Sequence, residues 1–382
     1  MTTDKDIEQQ VLTTIDKWVE KELRPIAREF DQADQYPTEL VEQMKALGLF
    51  GATIDEQYGG LGLSASTYAK IVSRICEVWM APSGIFNSHL IMASCVQRAG
   101  TEEQKTRFLP RFATGELRGG IGLTEPDAGS DLQSIRMVAR KAGDDYVING
   151  TKTWISNGIN GNCLAVLTKT EPNADPIYRG MSLFLWEKVE GFTVGKKLKK
   201  LGYRSIDSAE LIFDDFHVSA NNLIGGEEGL GFAQVAGGLE LGRINIAARG
   251  AGMAKGATDM ALAYAMERKT FGKPIAEHQA IQLKLAEMST RAAAAALLVE
   301  QAAIKYDQKE RCDLEAGQAK FFASESAVQN SLDAMRVFGG YSYSPEYEIE
   351  RFYRDAPLLC IGEGTNEIQR MIIAKQMVSR AR

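Results

Sequence analysis

One carboxylate stands out by its neighbours. Glu363 lies between Gly362 and Gly364 in RFYRDAPLLCIGEGTNEIQR, residues 351–370. Flanking glycines remove side chains on both sides, so a ligand can approach the backbone closely. Thr365 and Glu367 follow, and TNEIQ reads as a helix start. A carboxylate just ahead of a helix N-terminus suits a general base, and the bare N–H groups beside it suit a developing oxyanion. The same GEGT also spells a turn and cap, so the rest of the chain must decide between the two.

Three other stretches carry residue types suited to chemistry. IGLTEPDAGSD, residues 121–131, reads as a strand end followed by a turn, with Gly129 free to take positive φ. Such a loop suits a polar ring edge or a phosphate, or serves only as a turn. KTWISNG, residues 152–158, puts Trp154 and Ser156 on one strand face, where they either flank a flat heterocycle or belong to a core. ERKTFG, residues 267–272, ends a long helix ahead of EHQA at 277–280. Arg268 there offers a fork for a pyrophosphate, or a solvated helix end. GAGMAKG, residues 250–256, is not a dinucleotide fingerprint: its spacing is GxGxxxG, its flanks are helical and no βαβ unit surrounds it. Small residues for close helix packing account for it better.

The elements that must position these residues fall into three blocks. Up to about residue 115 the apolar residues recur at helical spacing, as from Val11 to Leu23. Thr38 opens a helix ending near Gly48, Ser64 or Ser66 caps another, and Thr101 with Gln104 forms a capping-box pattern. From Ile121 to Val218 the chain reads as short strands with frequent turns. GDD at 143–145 is a turn, and Asn149-Gly150 is read as a hairpin closed by Trp154 to Ser156. Long Ala- and Leu-rich helices then run over 229–269, 279–307 and 314–337. The expected class is α+β: an N-terminal helical domain (1–118), a middle antiparallel β-barrel domain (119–226) and a C-terminal four-helix bundle (227–382).

Composition narrows the function. The 382 residues carry a formal net charge of −6 with no basic stripe, which argues against nucleic acid, and no apolar run approaches a membrane span. The polar N-terminus has no signal core, so a cytoplasmic protein is expected. His89, His217 and His278 are far apart, and no two of the five cysteines lie in a CxxC spacing. No metal is therefore expected, and a carboxylate is the expected base.

LTEPDAGSD, KTWISNG, LGYRSIDSAELIFDDFHV, ERKTFG, FGG and YRDAPLLCIGEGTNEIQR, in that order, resemble the acyl-CoA dehydrogenase family along essentially the whole chain. The resemblance implies noncovalent FAD and a homotetramer or dimer in which one subunit helps hold its neighbour's FAD. It implies that Leu123, Thr124, Trp154 and Ser156 contact the flavin ring, with Gly129 and Ser130 shaping the flavin and pantetheine side. Arg268, Phe271, Gln279, Arg336, Gly339 and Gly340 would hold the neighbour's FAD, and Thr365 and Glu367 would touch the adenosine part of FAD. Glu240, Arg243, Ser130 and Gly364 would lie along the acyl-CoA. Glu363 becomes the base that removes the α-proton of an acyl-CoA thioester, yielding a trans-2-enoyl-CoA. Electrons would pass to an electron-transfer flavoprotein.

Departures from the family pattern accompany the match. Some members carry the base on the first bundle helix, where this chain has Gly242. Arg336 stands where many have Gln, Ser156 where Thr is more frequent, and Gly362 where some have Tyr. Related folds also run oxygen-using oxidation or β-elimination on CoA thioesters. A non-catalytic acyl-CoA binding protein is the remaining alternative, and an intact Glu363 argues against it.

Overall fold

The longest element dictates the arrangement. Helix α7 (Gly231–Glu267) runs 37 residues, and its small residues let neighbours approach its backbone. A Cβ on Gly252 would lie 2.3 Å from the Ser73 carbonyl, and one on Gly250 would lie 2.6 Å from the Ala323 carbonyl. The GAGMAKG stretch is thus a helix-packing surface, as its spacing suggests. The computed structural model describes residues 4–187 and 192–381.

Six helices precede the sheet: α1 (Asp4–Trp18), α2 (Ala27–Ala33), α3 (Thr38–Ala46), α4 (Ala65–Cys76), α5 (Met80–Ala99) and α6 (Glu102–Ala113). Ser64 caps α4 by accepting the Thr67 N–H at 3.1 Å. Ser66 instead donates its hydroxyl to Asp307 at 2.6 Å. Thr101 and Gln104 form the full capping box of α6. Both α4 and α5 lie against α7, and α5 is buried on nearly every side.

The middle of the chain forms β1 (Gly119–Gly122), β2 (Val138–Ala142), β3 (Asp145–Ser156), β4 (Cys163–Lys169), β5 (Met181–Glu187), β6 (Phe192–Lys197) and β7 (Ser208–Ser219). Strand order is β1-β4-β2-β3-β7-β6, with β5 paired to β4. The antiparallel expectation needs correcting, because β1 and β4 run parallel from Gly119↔Cys163 to Gly122↔Val166. The result is a curled mixed sheet, and among the described residues no pairing joins β6 to β1 or β5. Strands β4 and β5 are buried on both faces. Leu164, Val166, Phe184 and Trp186 fill the sheet's own core, while Ala165, Leu167, Leu183 and Leu185 join the helical core.

The expected hairpin at Asn149-Gly150 does not form. Both residues lie inside β3, where the register with β7 shifts between Ile148 and Gly150. Gly150 takes φ 144°, and a Cβ there would meet Met137 at 2.9 Å. Asn149 donates its amide to Asp215 at 3.1 Å and accepts the Asp215 N–H at 2.9 Å, clamping a bulge rather than a turn. The reversal before β3 is at Gly143, φ 66°, where GDD predicts it.

After α7 come a ribbon of β8 (Lys269–Thr270) and β9 (Lys273–Pro274), then α8 (Gln279–Asp307), α9 (Asp313–Phe338), α10 (Ile349–Ile361) and α11 (Asn366–Arg380). Helices α7, α8 and α9 pack on one another, and α10 and α11 both pack on α9. No helix among the described residues is long and apolar enough to cross a membrane.

Candidate active site

Glu363 sits in the four-residue loop between α10 and α11 with φ 53°, and Gly364 follows at φ 85°. A left-handed backbone at a non-glycine residue costs about 1–3 kcal/mol and persists only where the surroundings enforce it. Two anchors enforce it here. The Thr365 hydroxyl accepts the Ile368 N–H at 3.3 Å and caps α11. Lys320, fully buried on α9, donates to the Gly364 carbonyl and to Asn366 Oδ1, each at 2.9 Å. Burial pushes the Lys320 ammonium down to about 8.

The loop turns the Glu363 carboxylate inward. Oε1 accepts the Asn87 amide of α5 at 3.0 Å, whereas Oε2 is buried without a hydrogen-bond partner. Oε2 lies against the bare backbone of α7: a Cβ on Gly242 would stand 2.5 Å from it. Where the resemblance implies a base in some members, this chain leaves room for the carboxylate of another loop. Burial raises the Glu363 pKa, opposed in turn by the charges of Arg249 and Lys320, the Asn87 hydrogen bond and the Arg243 charge. A base held out of water with one free lone-pair edge can take a proton from carbon.

A buried polar chain surrounds that carboxylate. Tyr68 donates to Asn87 Oδ1 at 3.1 Å and accepts from Asn245 at 2.9 Å. Arg249, one helical turn beyond Asn245, donates to the Tyr203 hydroxyl at 3.1 Å and to the Ser83 carbonyl at 3.3 Å. Tyr68, Asn245, Arg249 and Lys320 were missed. The available signal was polar residues set among apolar and small ones, as in GRINIAARGAG.

The residues expected at the flavin ring are brought together by a buried ion pair. Lys152 of β3 donates to Glu125 and to the Leu123 carbonyl, both at 2.9 Å. Glu125 also accepts the Arg136 and Met137 N–H groups, at 2.6 and 3.1 Å, which closes the 123–137 loop on itself. The Thr124 carbonyl accepts the Thr153 N–H at 2.9 Å. Trp154, at φ 62°, holds its indole 57% exposed, with Ser156 half-buried two residues on. Gly129 and Ser130 are exposed at the loop tip. An indole left open beside a rigid polar loop fits a flat heterocycle.

A second group assembles elsewhere. Arg268, Gly339 and Gly340 line a groove of about 550 Å³ with Tyr264, His278 and Tyr341. The Arg268 guanidinium lies 5.5 Å from the Tyr341 ring, and no heavy atom lies near enough to meet a Cβ on either glycine. Phe271 stands 97% exposed at φ 51°, and Gln279 begins α8 on the surface. An arginine beside bare backbone fits a pyrophosphate. Arg336 does not line this groove; it pairs with Asp333 at 3.0 Å. Glu367 is exposed and pairs with Arg370 at 2.7 Å. Glu240 and Arg243 meet Asp313: Arg243 pairs with it at 3.6 Å, and Glu240 is raised by burial and by Asp313's like charge.

Comparison with known proteins places the whole chain. Models of the acyl-CoA dehydrogenase N-terminal, middle and C-terminal domains match residues 5–116, 120–216 and 229–378. An acyl-CoA dehydrogenase of Bacillus subtilis is 41% identical over 94% of both chains. The butyryl-CoA dehydrogenase structure from Megasphaera elsdenii superposes with a TM-score of 0.94, at 35% identity over 98% of each chain. A chain from a structure described as the electron transferring flavoprotein of Acidaminococcus fermentans gives the same TM-score of 0.94, at 35% identity over 97% of each. The chain belongs to the acyl-CoA dehydrogenase family, FAD-dependent oxidoreductases acting on a CH–CH group.

Proposed function

We propose that this chain oxidises an acyl-CoA thioester to its trans-2-enoyl-CoA, with Glu363 as the α-proton base. The observation that carries the reading is the Glu363 carboxylate: one oxygen tethered by Asn87, the other buried and unpartnered, on a strained loop fixed by Lys320 and Thr365. A base positioned in this way contributes typically about 10²–10⁴-fold. Its basicity is a balance, since burial raises the affinity for the proton while Arg249 and Lys320 keep the anion accessible. The Glu363 N–H has no backbone partner among the described residues and is free to donate to the thioester oxygen as negative charge develops there.

FAD, when bound, accepts the β-hydride. Leu123, Thr124, Trp154 and Ser156 would hold its ring, with Gly129 and Ser130 beside it; Thr365 and Glu367 would touch its adenosine part. Arg268, Phe271, Gln279, Gly339 and Gly340 would hold the FAD of a neighbouring subunit in a homotetramer or dimer, with Arg336 at the margin. Ser130, Glu240, Arg243 and Gly364 would lie along the CoA thioester. Transfer of the electrons to an electron-transfer flavoprotein is supported by the likeness to the chain from the Acidaminococcus structure.

The test is Glu363→Gln, which is isosteric and keeps an acceptor for Asn87. The variant should retain FAD and bind acyl-CoA, yet show no bleaching of flavin absorbance when mixed anaerobically with acyl-CoA. Full bleaching at the wild-type rate would remove Glu363 from the role.

A further inference from the structure

Arg249 is an anomaly among the buried cations. Lys152 pairs with Glu125, Arg351 pairs with Glu348, and Lys320 has three oxygen acceptors. Arg249 is only 2% exposed, yet its partners are a phenol and one carbonyl, and its Nε has none. A buried charge without an opposite charge in contact is expensive to keep. Tyr203 sharpens the anomaly. Its hydroxyl accepts from Arg249, and its own proton goes to no described residue. Gly84 leaves the space for that hydroxyl, since a Cβ there would lie 1.4 Å from it.

These unused donors lie along the track that begins at Glu363. On α5, Asn87 binds Glu363 and Ser83, one turn earlier, binds Arg249. On α7, Gly242 faces Glu363 Oε2, and Asn245 and Arg249 follow at i+3 and i+7 on the same face. One turn is about 5.4 Å, so the base and the guanidinium are a few carbon–carbon bonds apart along α5. An unpartnered Nε alone would not set Arg249 apart, since Arg351 has one too, but a simple counter-charge role for Arg249 leaves the Tyr203 proton unexplained. It also leaves unexplained why Asn87, not Arg249, donates to the Glu363 carboxylate.

We infer that the acyl group ends in a carboxylate, bound by Arg249 and Tyr203, so that the substrates are four- to six-carbon dicarboxylyl-CoA thioesters. The ligand supplies a carboxylate in direct contact with Arg249, which otherwise feels the Glu363 charge only at a distance; the guanidinium edge and the phenol donate to it, and the α-carbon is left beside Glu363. This rests on the proposed role of Glu363 and adds the substrate class. A plain alkyl chain would leave the same donors buried and unpaired, which is how a site rejects an analogue lacking its polar group.

The experiment compares succinyl-, glutaryl- and adipyl-CoA with butyryl-, pentanoyl- and hexanoyl-CoA on the holoenzyme. It reads anaerobic flavin bleaching and, separately, calorimetric binding. At least one dicarboxylyl-CoA should exceed its neutral counterpart by roughly 100-fold in kcat/KM. Arg249→Met should abolish that preference, while Arg249→Lys keeps part of it. A preference for the neutral series throughout, or a ratio unchanged in Arg249→Met, overturns the inference. Should the variants not fold, the wild-type ratio alone decides. Should neither series bleach the flavin, the Glu363 reading fails, and the binding ratio then upholds or overturns the carboxylate subsite by itself.

Discussion

Gly242→Ala separates the placement of the base from the stability of the fold. The new Cβ would stand 2.5 Å from Glu363 Oε2 and 3.3 Å from Ile91 Cδ1, where ordinary contact begins at 3.4 Å. The carboxylate must therefore retreat by about 1 Å, because the α7 backbone is pinned by α4 and α9. A misplacement of about 1 Å costs roughly 100-fold in rate. The fold should tolerate the change, since the clash is with the end of a side chain and alanine is favoured over glycine within a helix by about 1 kcal/mol. Stopped-flow anaerobic reduction measures the rate, and thermal unfolding with the flavin-to-protein absorbance ratio measures the fold. The expected result is a loss of roughly 100-fold in the reductive step with FAD content and Tm unchanged or slightly raised. A rate within threefold of wild type would refute the placement of Glu363 against Gly242.

Asn87→Ala removes the hydrogen bond that lowers the raised Glu363 pKa. The carboxylate must be ionised to act, so activity rises with pH, and the acid limb of the reductive rate should move to higher pH in the variant. At pH 7 the rate should fall roughly tenfold, as for loss of one hydrogen bond to a charged group. Lys152→Met strands the buried Glu125 carboxylate and unties the 123–137 loop. It should cost about 3 kcal/mol and lower both Tm and retained FAD. Trp154→Ala should separate those two effects: its indole is more than half exposed, so apoprotein stability should hold within about 0.5 kcal/mol while FAD affinity drops. Equal losses in both measurements would place the indole in the fold rather than at the cofactor.

The order of helices, sheet and helices was legible because hydrophobic period is a local signal. Glu363 was legible as a candidate base because its glycines and its motif are contiguous in sequence. What escaped depended on distant pairing. Asn149-Gly150 announces a need for positive φ, and a bulge meets that need as well as a hairpin does. The parallel pairing of β1 with β4 joins residues more than forty positions apart, and no local pattern encodes it. Arg249 sits in a run of small residues that reads as a packing face. That its charge points inward follows only once α4 and α5 cover that side of α7.

The length of α7 has a consequence for assembly. Gly242 marks the base at one point of the helix, and Arg268 closes its far end. At about 1.5 Å per residue these lie about 39 Å apart, farther than one dinucleotide reaches. If, as proposed, the Arg268 groove holds a neighbour's FAD, one chain would serve two different FAD molecules, and each FAD would be held by two chains. Cofactor retention would then be a property of the oligomer and obey mass action. Diluting the protein would loosen the subunits and the flavin together, and added FAD would in turn favour the assembled state.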